Sequence, residues 1–130
     1  MKLKDTGSCL ICGKSNPIGL KLAFRGMEGH AETSVVIPEN FQGWGGMAHG
    51  GMVTALLDEA MFYALAGLGW SGVTAEITVR FIAPVPTEEA LHLEGEVEAR
   101  RGRFGRAAAW LRLGEKTLAE ARGKFLTPAE

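Results

Sequence analysis

A chain of 130 residues fits one domain around one modest core. With 46% hydrophobic and 22% charged residues it has the balance of a globular domain, and a formal net charge of −1 excludes the strongly basic footprint of a nucleic-acid binder. Met1-Lys2-Leu3-Lys4-Asp5 is not followed by an apolar run, so no signal peptide is expected. The most apolar stretch, Met52 to Leu68, carries Asp58 and Glu59 near its middle, which penalises a membrane span. The expectation is a cytoplasmic protein with neither nucleic acid nor membrane as a partner.

Residues 1–19 read as an irregular N-terminal arm before a single domain over 20–130. The arm holds both cysteines, Cys9 and Cys12, in a Cys-x-x-Cys pattern. Redox enzymes place that motif at a helix start, whereas here a turn-rich run, Gly13 to Gly19, follows it. A mononuclear zinc site usually needs four ligands. The motif therefore reads first as a structural turn, and second as half of a thiolate site shared between two subunits. Leu20 to Arg25 alternates apolar and polar residues, Gly26 to Gly29 forms a turn, and Ala31 to Ile37 is β-rich, which together predict a hairpin.

The run Phe41 to Gly51 is too rich in glycine for a regular element. From Met52 to Leu68 strong helix formers follow without proline, and with no glycine until Gly67. That helix is apolar nearly all round, so the sequence predicts burial on most sides with the sheet wrapped about it. Four further strands are expected: Val73 to Val85, Ala90 to Ala99, Arg106 to Leu113 and Thr117 to Leu126. The order β-β-α-β-β-β-β gives an α+β domain whose mainly antiparallel sheet keeps an open edge, and an open edge predicts oligomerisation, most simply a two-fold dimer.

The loop Gly46-Met47-Ala48-His49-Gly50-Gly51 meets the N-terminus of the long helix, where backbone N–H groups are unpaired and the dipole is positive. A developing oxyanion fits the N–H of Gly50. Asp58 is an acid among apolar neighbours, and burial raises its pKa towards the range of a general base. Thr54, four residues earlier, shares its face and is the expected hydrogen-bond partner. Eight residues of helix separate Gly50 from Asp58 by about 12 Å, so a site using both takes one from each of two chains. The plain alternatives are a histidine that only starts a helix, a tight glycine turn, and a solvated acidic patch at Asp58 and Glu59.

In these residues the chain resembles the hot-dog-fold acyl-CoA thioesterases of the phenylacetate-pathway type, within the 4-hydroxybenzoyl-CoA thioesterase superfamily. The resemblance rests on His49-Gly50-Gly51 with the acid nine residues after the histidine. It rests also on Cys9-x-x-Cys12-Gly13 followed by Asn16-Pro17-Ile18-Gly19-Leu20, and on Thr78 to Pro86. It implies a hot-dog fold, a long central helix wrapped by a mainly antiparallel β-sheet, and hydrolysis of a coenzyme A thioester to free acid and thiol. By the same resemblance Gly50 N–H polarises the carbonyl, Asp58 acts as general base or nucleophile, His49 orients the loop, and dimers pair into tetramers with no metal or cofactor required. Relatives often carry Asn or Gln six residues before the histidine. Gly43 stands there, with Gln42 beside it as the substitute, and Phe62 replaces a Thr or Ser. Gly51, Thr54, Phe62 and Trp44 are the expected substrate-lining residues. Arg101 and Arg103, in a cluster with Arg100 and Arg106, are the expected phosphate contacts, against the plainer reading of a solvated basic turn. Two other functions share this pattern: a non-catalytic acyl-CoA-binding hot-dog protein, and a hot-dog dehydratase acting on hydroxyacyl thioesters.

Overall fold

The computed structural model describes residues 2–128. Its one long helix, α1, runs from Gly50 to Ala66. The buried side chains Met52, Val53, Leu56, Leu57, Ala60, Met61, Ala64 and Leu65 recur in adjacent pairs every fourth residue, which puts them on one face. The helix is buried on most sides as expected, with residues 52–66 all buried or half-buried, but the sheet covers only this face and the N-terminal segment closes the opposite one. There the Cys9 thiol donates to Glu59 at 3.3 Å and the Phe24 ring stacks on Tyr63 with centroids 4.7 Å apart. No helix among the described residues is long and apolar enough to cross a membrane.

Six strands form one antiparallel sheet: β1 (Arg25–Met27), β2 (His30–Val36), β3 (Val73–Phe81), β4 (Ala90–Arg101), β5 (Phe104–Leu113) and β6 (Lys116–Leu126). Their spatial order is β1-β2-β4-β5-β6-β3. The element order matches the sequence expectation, and a single helix packed on a mainly antiparallel sheet is the arrangement the resemblance implies. The first strand differs. Leu20, Leu22 and Phe24 do alternate inward, but they pack on the core as an extended segment outside the sheet, with Lys21 at φ 54° breaking regular strand geometry. Period-two burial marks any half-buried extended chain, paired or not. β1 itself occupies Arg25–Met27, from the last residue of the expected strand into the stretch expected to turn, and the turn shrinks to Glu28-Gly29.

Small residues determine how closely the helix and sheet approach. Ala31, Gly95, Ala109, Ala121 and Val79 pair in one row across five strands, with Gly95 on β4 directly under α1. A Cβ at Gly95 would stand 2.3 Å from the carbonyl oxygen of Ala60 and 2.6 Å from its carbon. Backbone meets backbone here, and a glycine on one side is the condition for it. In the flanking rows Gly123 faces Met61 and Gly105 faces Leu65, so the helix beds into a shallow trough.

The two edges of the sheet differ. β1 is three residues long, whereas β3 is nine, presents its outer edge unpaired, and ends on Phe81 with 55% of its surface exposed. A long open edge carrying apolar residues invites another strand.

Substituting Gly95→Ala is expected to cost about 1–3 kcal/mol or more of stability, because the added methyl meets a backbone carbonyl that no rotamer change can move. Urea unfolding checks this, and a midpoint within error of wild type would refute the close approach.

Candidate active site

Helix α1 begins at Gly50 with His49 as its N-cap, in extended conformation (φ −61°, ψ 137°). The first N–H groups of a helix have no partner within it, and His49 satisfies most of them. Its Nδ1 accepts from Gly51 N–H at 2.9 Å, and its carbonyl accepts from Met52 and Val53 at 2.9 and 3.1 Å. Because Nδ1 accepts, a neutral His49 carries its proton on Nε2. Among the described residues the N–H of Gly50 makes no hydrogen bond. It belongs to a cleft of about 650 Å³ lined by Gly43, Trp44, Met47, His49 and Phe81 to Val85, mostly apolar.

The loop that shapes this cleft is braced from within. His49 N–H donates to Phe41, Ala48 N–H to Val85 and Gly43 N–H to Met47, each at 2.8–2.9 Å. Gln42 Oε1 accepts from Gly46 N–H at 3.0 Å, and its side chain lies in a separate shallow hollow beside Asn40, Phe41 and Met52. Gly43 lies against the His49 ring, where a Cβ would stand 3.6 Å from its Cδ2, and His49 also lines the hollow that holds Gln42. Trp44 is 82% exposed at the mouth of the cleft.

Asp58 lies in a different cleft, of about 490 Å³, with Phe62, Tyr63, Cys9 and Cys12, closed on the far side by Val73 and Thr74 at the start of β3. Its hydrogen-bond partner is Thr74, whose hydroxyl donates to Oδ1 at 2.5 Å. The expected partner Thr54 instead donates to Gly50 O at 2.9 Å, the back-bond to the carbonyl four residues earlier that a helical threonine makes. Thr74 reaches the helix because the β3–β6 register shifts between Thr74 and Glu76. By strict alternation from inward Ile77, residue 74 would face outward. The bulge pairs it instead with buried Phe125 and turns it inward. Burial raises the Asp58 pKa above the ordinary carboxylate value, and the Thr74 hydrogen bond partly opposes this. In the same cleft burial, with Glu59 adjacent, pushes the Cys12 thiol up to about 12.

The two clefts therefore sit at opposite ends of β3: Asp58 by Val73 and Thr74, His49 and Gly50 by Phe81. Within one chain they do not meet. Arg101 pairs with Phe104, Phe104 with Leu126 and Leu126 with Val73, which puts the Arg101–Arg103 turn at the Asp58 end. Arg103 Nε donates to Thr127 O at 2.9 Å, leaving the rest of its guanidinium exposed.

The family model of the thioesterase superfamily matches residues 45–120, more than half of the chain, from the glycine loop to β6. The chain belongs to the thioesterase superfamily. Among solved structures, another thioesterase superfamily protein shares 27% identity and a TM-score of 0.86 over 92% of this chain; the match spans 63% of that protein, less than two thirds of its length. The PaaI protein of the Escherichia coli phenylacetic acid degradation operon shares 25% identity, with a TM-score of 0.73 over 79% of this chain and 80% of its own. A hypothetical thioesterase from Streptococcus pneumoniae, solved with coenzyme A, has the same fold at 17% identity, with a TM-score of 0.76 over 83% of this chain and 89% of its own. No curated protein matches. The superfamily's hot-dog fold is thus the fold of this chain.

Sequence reasoning missed Thr74, because only a bulge brings it to the helix and no local residue signals that bulge. The raised Asp58 pKa has a thermodynamic corollary. A carboxyl whose folded pKa exceeds its unfolded value loses stability for the protein as pH rises from the unfolded value through the folded one. Asp58→Asn removes that penalty, so its thermal midpoint is expected at or above that of wild type at neutral pH, with the difference vanishing in acid. A variant clearly less stable at neutral pH would contradict the burial account.

Proposed function

We propose that this member of the superfamily is an acyl-CoA thioesterase of the cytoplasm, working as a dimer whose two active sites each combine Gly50 of one chain with Asp58 of the other. The observation that carries the reading is the single unpartnered N–H at the start of α1, set in an apolar cleft, while a half-buried acid waits at the other end of an open edge strand. The Thr74 and Phe81 ends of β3 are roughly 20–25 Å apart. Antiparallel pairing of two β3 edges about a two-fold axis lays the Phe81 end of one strand beside the Val73 end of the other. The half-sites then face each other, and Trp44 of one chain and Phe62 of its neighbour flank one acyl cavity. Gly51 and Thr54 frame its floor.

In this reading the thioester carbonyl oxygen accepts from Gly50 N–H, whose donor is fixed by the helix and needs no reorganisation as charge develops. His49 holds the helix start through Gly51, so that Gly50 alone is offered, and Gln42 steadies the loop through Gly46. Asp58 takes a proton from a water whose oxygen attacks the carbonyl, or attacks the carbonyl itself to form an anhydride that water then hydrolyses. In either case the C–S bond breaks and coenzyme A leaves as a thiolate that is protonated by Asp58 or by solvent. Arg101 and Arg103, exposed at the end of β4, suit the coenzyme's phosphates. Coenzyme A in the Streptococcus pneumoniae structure and acetyl-CoA in one from Streptococcus mutans support that ligand class. Pairing of dimers into a tetramer completes the proposal.

Thiol release from a panel of acyl-CoA esters tests it. Asp58→Ala is expected to lower kcat about 10²–10⁴-fold. Gly50→Pro deletes the N–H at a helix position that accepts proline, after a residue already extended, and is expected to lower kcat about 10²–10³-fold with the fold intact. Refolding the two inactive variants together is expected to restore about a quarter of the activity, since half the dimers then carry one intact site. Failure to complement would refute the shared site, and tight acyl-CoA binding without turnover in wild type would favour a binding protein.

A further inference from the structure

The proposed thioester chemistry does not use Cys9 and Cys12, which line the Asp58 cleft. The turn Cys9-Leu10-Ile11-Cys12 lies on α1 so that both sulfurs and a Glu59 carboxylate oxygen fall within 4.8 Å of one another. The N–H groups of Ile11 and Cys12 both donate to Cys9 Sγ, at 3.4 and 3.5 Å. Gly13 closes the turn, donating to Cys9 O at 2.9 Å. A Cβ on Gly13 would stand 2.2 Å from Cys9 N and 2.6 Å from Gly7 O, so only glycine allows the chain to fold back this tightly.

Two thiols and a carboxylate, three anionic ligands once a metal displaces the thiol protons, are thus gathered at one point. Among the described residues Glu59 makes no ion pair with lysine or arginine, and Lys4 lines the same cleft without pairing with it. A divalent cation would balance that charge. Two thiolates select a borderline-soft ion, and zinc accepts three protein ligands with water in the fourth position. A dithiol redox pair fits the surroundings less well, because it sits at a helix N-terminus, whereas turns follow Cys12. The second donor cluster, His30, Glu32 and Glu94, is already engaged: Arg112 donates to Glu94 at 2.6 Å.

We infer that Cys9, Cys12 and Glu59 form a zinc site that clips the N-terminal segment to α1, one residue along the helix from Asp58. The clip joins positions 9 and 12 to position 59, and so closes a long loop over the helix face that the sheet leaves uncovered. It does not depend on the thioesterase reading, and its test does not use catalysis.

The full chain, reduced and stripped with a chelator, is titrated with zinc against a chromogenic chelator and, separately, with cobalt. One zinc per chain is expected, together with a thiolate-to-cobalt charge-transfer band and a higher thermal midpoint on zinc addition. The double variant Cys9→Ser/Cys12→Ser is expected to lose the band and the stoichiometric zinc. Glu59→Gln, an isosteric change that carries the test if the cysteine variant does not fold, should keep a thiolate–cobalt band while zinc affinity falls at least about tenfold. Absence of the band in wild type would overturn the proposal. So would half an equivalent per chain, which marks a four-thiolate site between subunits. Zinc binding unchanged in the cysteine double variant or in Glu59→Gln would overturn it as well.

Discussion

The contact between Gly95 and the Ala60 carbonyl fixes the geometry on which everything else depends. A helix normally stands off a sheet by the length of the side chains between them. Here the row Ala31, Gly95, Ala109 and Ala121 removes those side chains beneath the helix centre. Larger residues, Leu93, Leu111 and Phe125 among them, fill the space to either side. The helix is thereby held in depth and direction at its middle, and both of its chemically interesting positions are placed by the same contact. Gly50 emerges at one end beside Phe81, and Asp58, two residues before Ala60, is set against the beginning of β3.

Placing two groups on one rigid helix also keeps them apart. Neither the helix nor the braced loop before it offers a way to bring Gly50 and Asp58 together inside one chain. Each group is held locally: the His49 cap leaves one donor free, and the Thr74 bulge holds one acid in place. The edge strand that runs between the two clefts is the part of the sheet left open.

Much of the fold is legible in the sequence because its signals are periodic. The alternation of Leu91, Leu93, Gly95 and Val97 identified β4 against its glutamates, and the proline-free run after Gly51 identified α1. The alternation at Leu20, Leu22 and Phe24 was equally real, but pairing depends on what lies alongside, and periodicity carries no information about that. The helix likewise has an apolar composition all round because two different partners cover it, the sheet and the N-terminal segment. In the candidate site, His49 and Asp58 stand out as types in context, since a glycine-flanked histidine at a helix start and a lone acid among leucines each need an explanation. Thr74 does not stand out, because its orientation follows from a one-residue slip between β3 and β6. Glu59 beside Cys9 is a contact over fifty residues of chain, which spacing rules for Cys-x-x-Cys cannot see.

The inequality of the sheet's two edges has a consequence for assembly. A chain with two long open edges can grow without limit, each copy offering a fresh template to the next. In the proposed dimer growth would stop: β1, three residues long, is too brief to template a neighbour, while β3 would be spent on its own symmetry mate. Joining two such six-stranded sheets through β3 would make one continuous surface that ends in a short strand on either side. An exposed nine-residue strand, ordinarily a hazard for aggregation, would thus serve as a self-terminating joint.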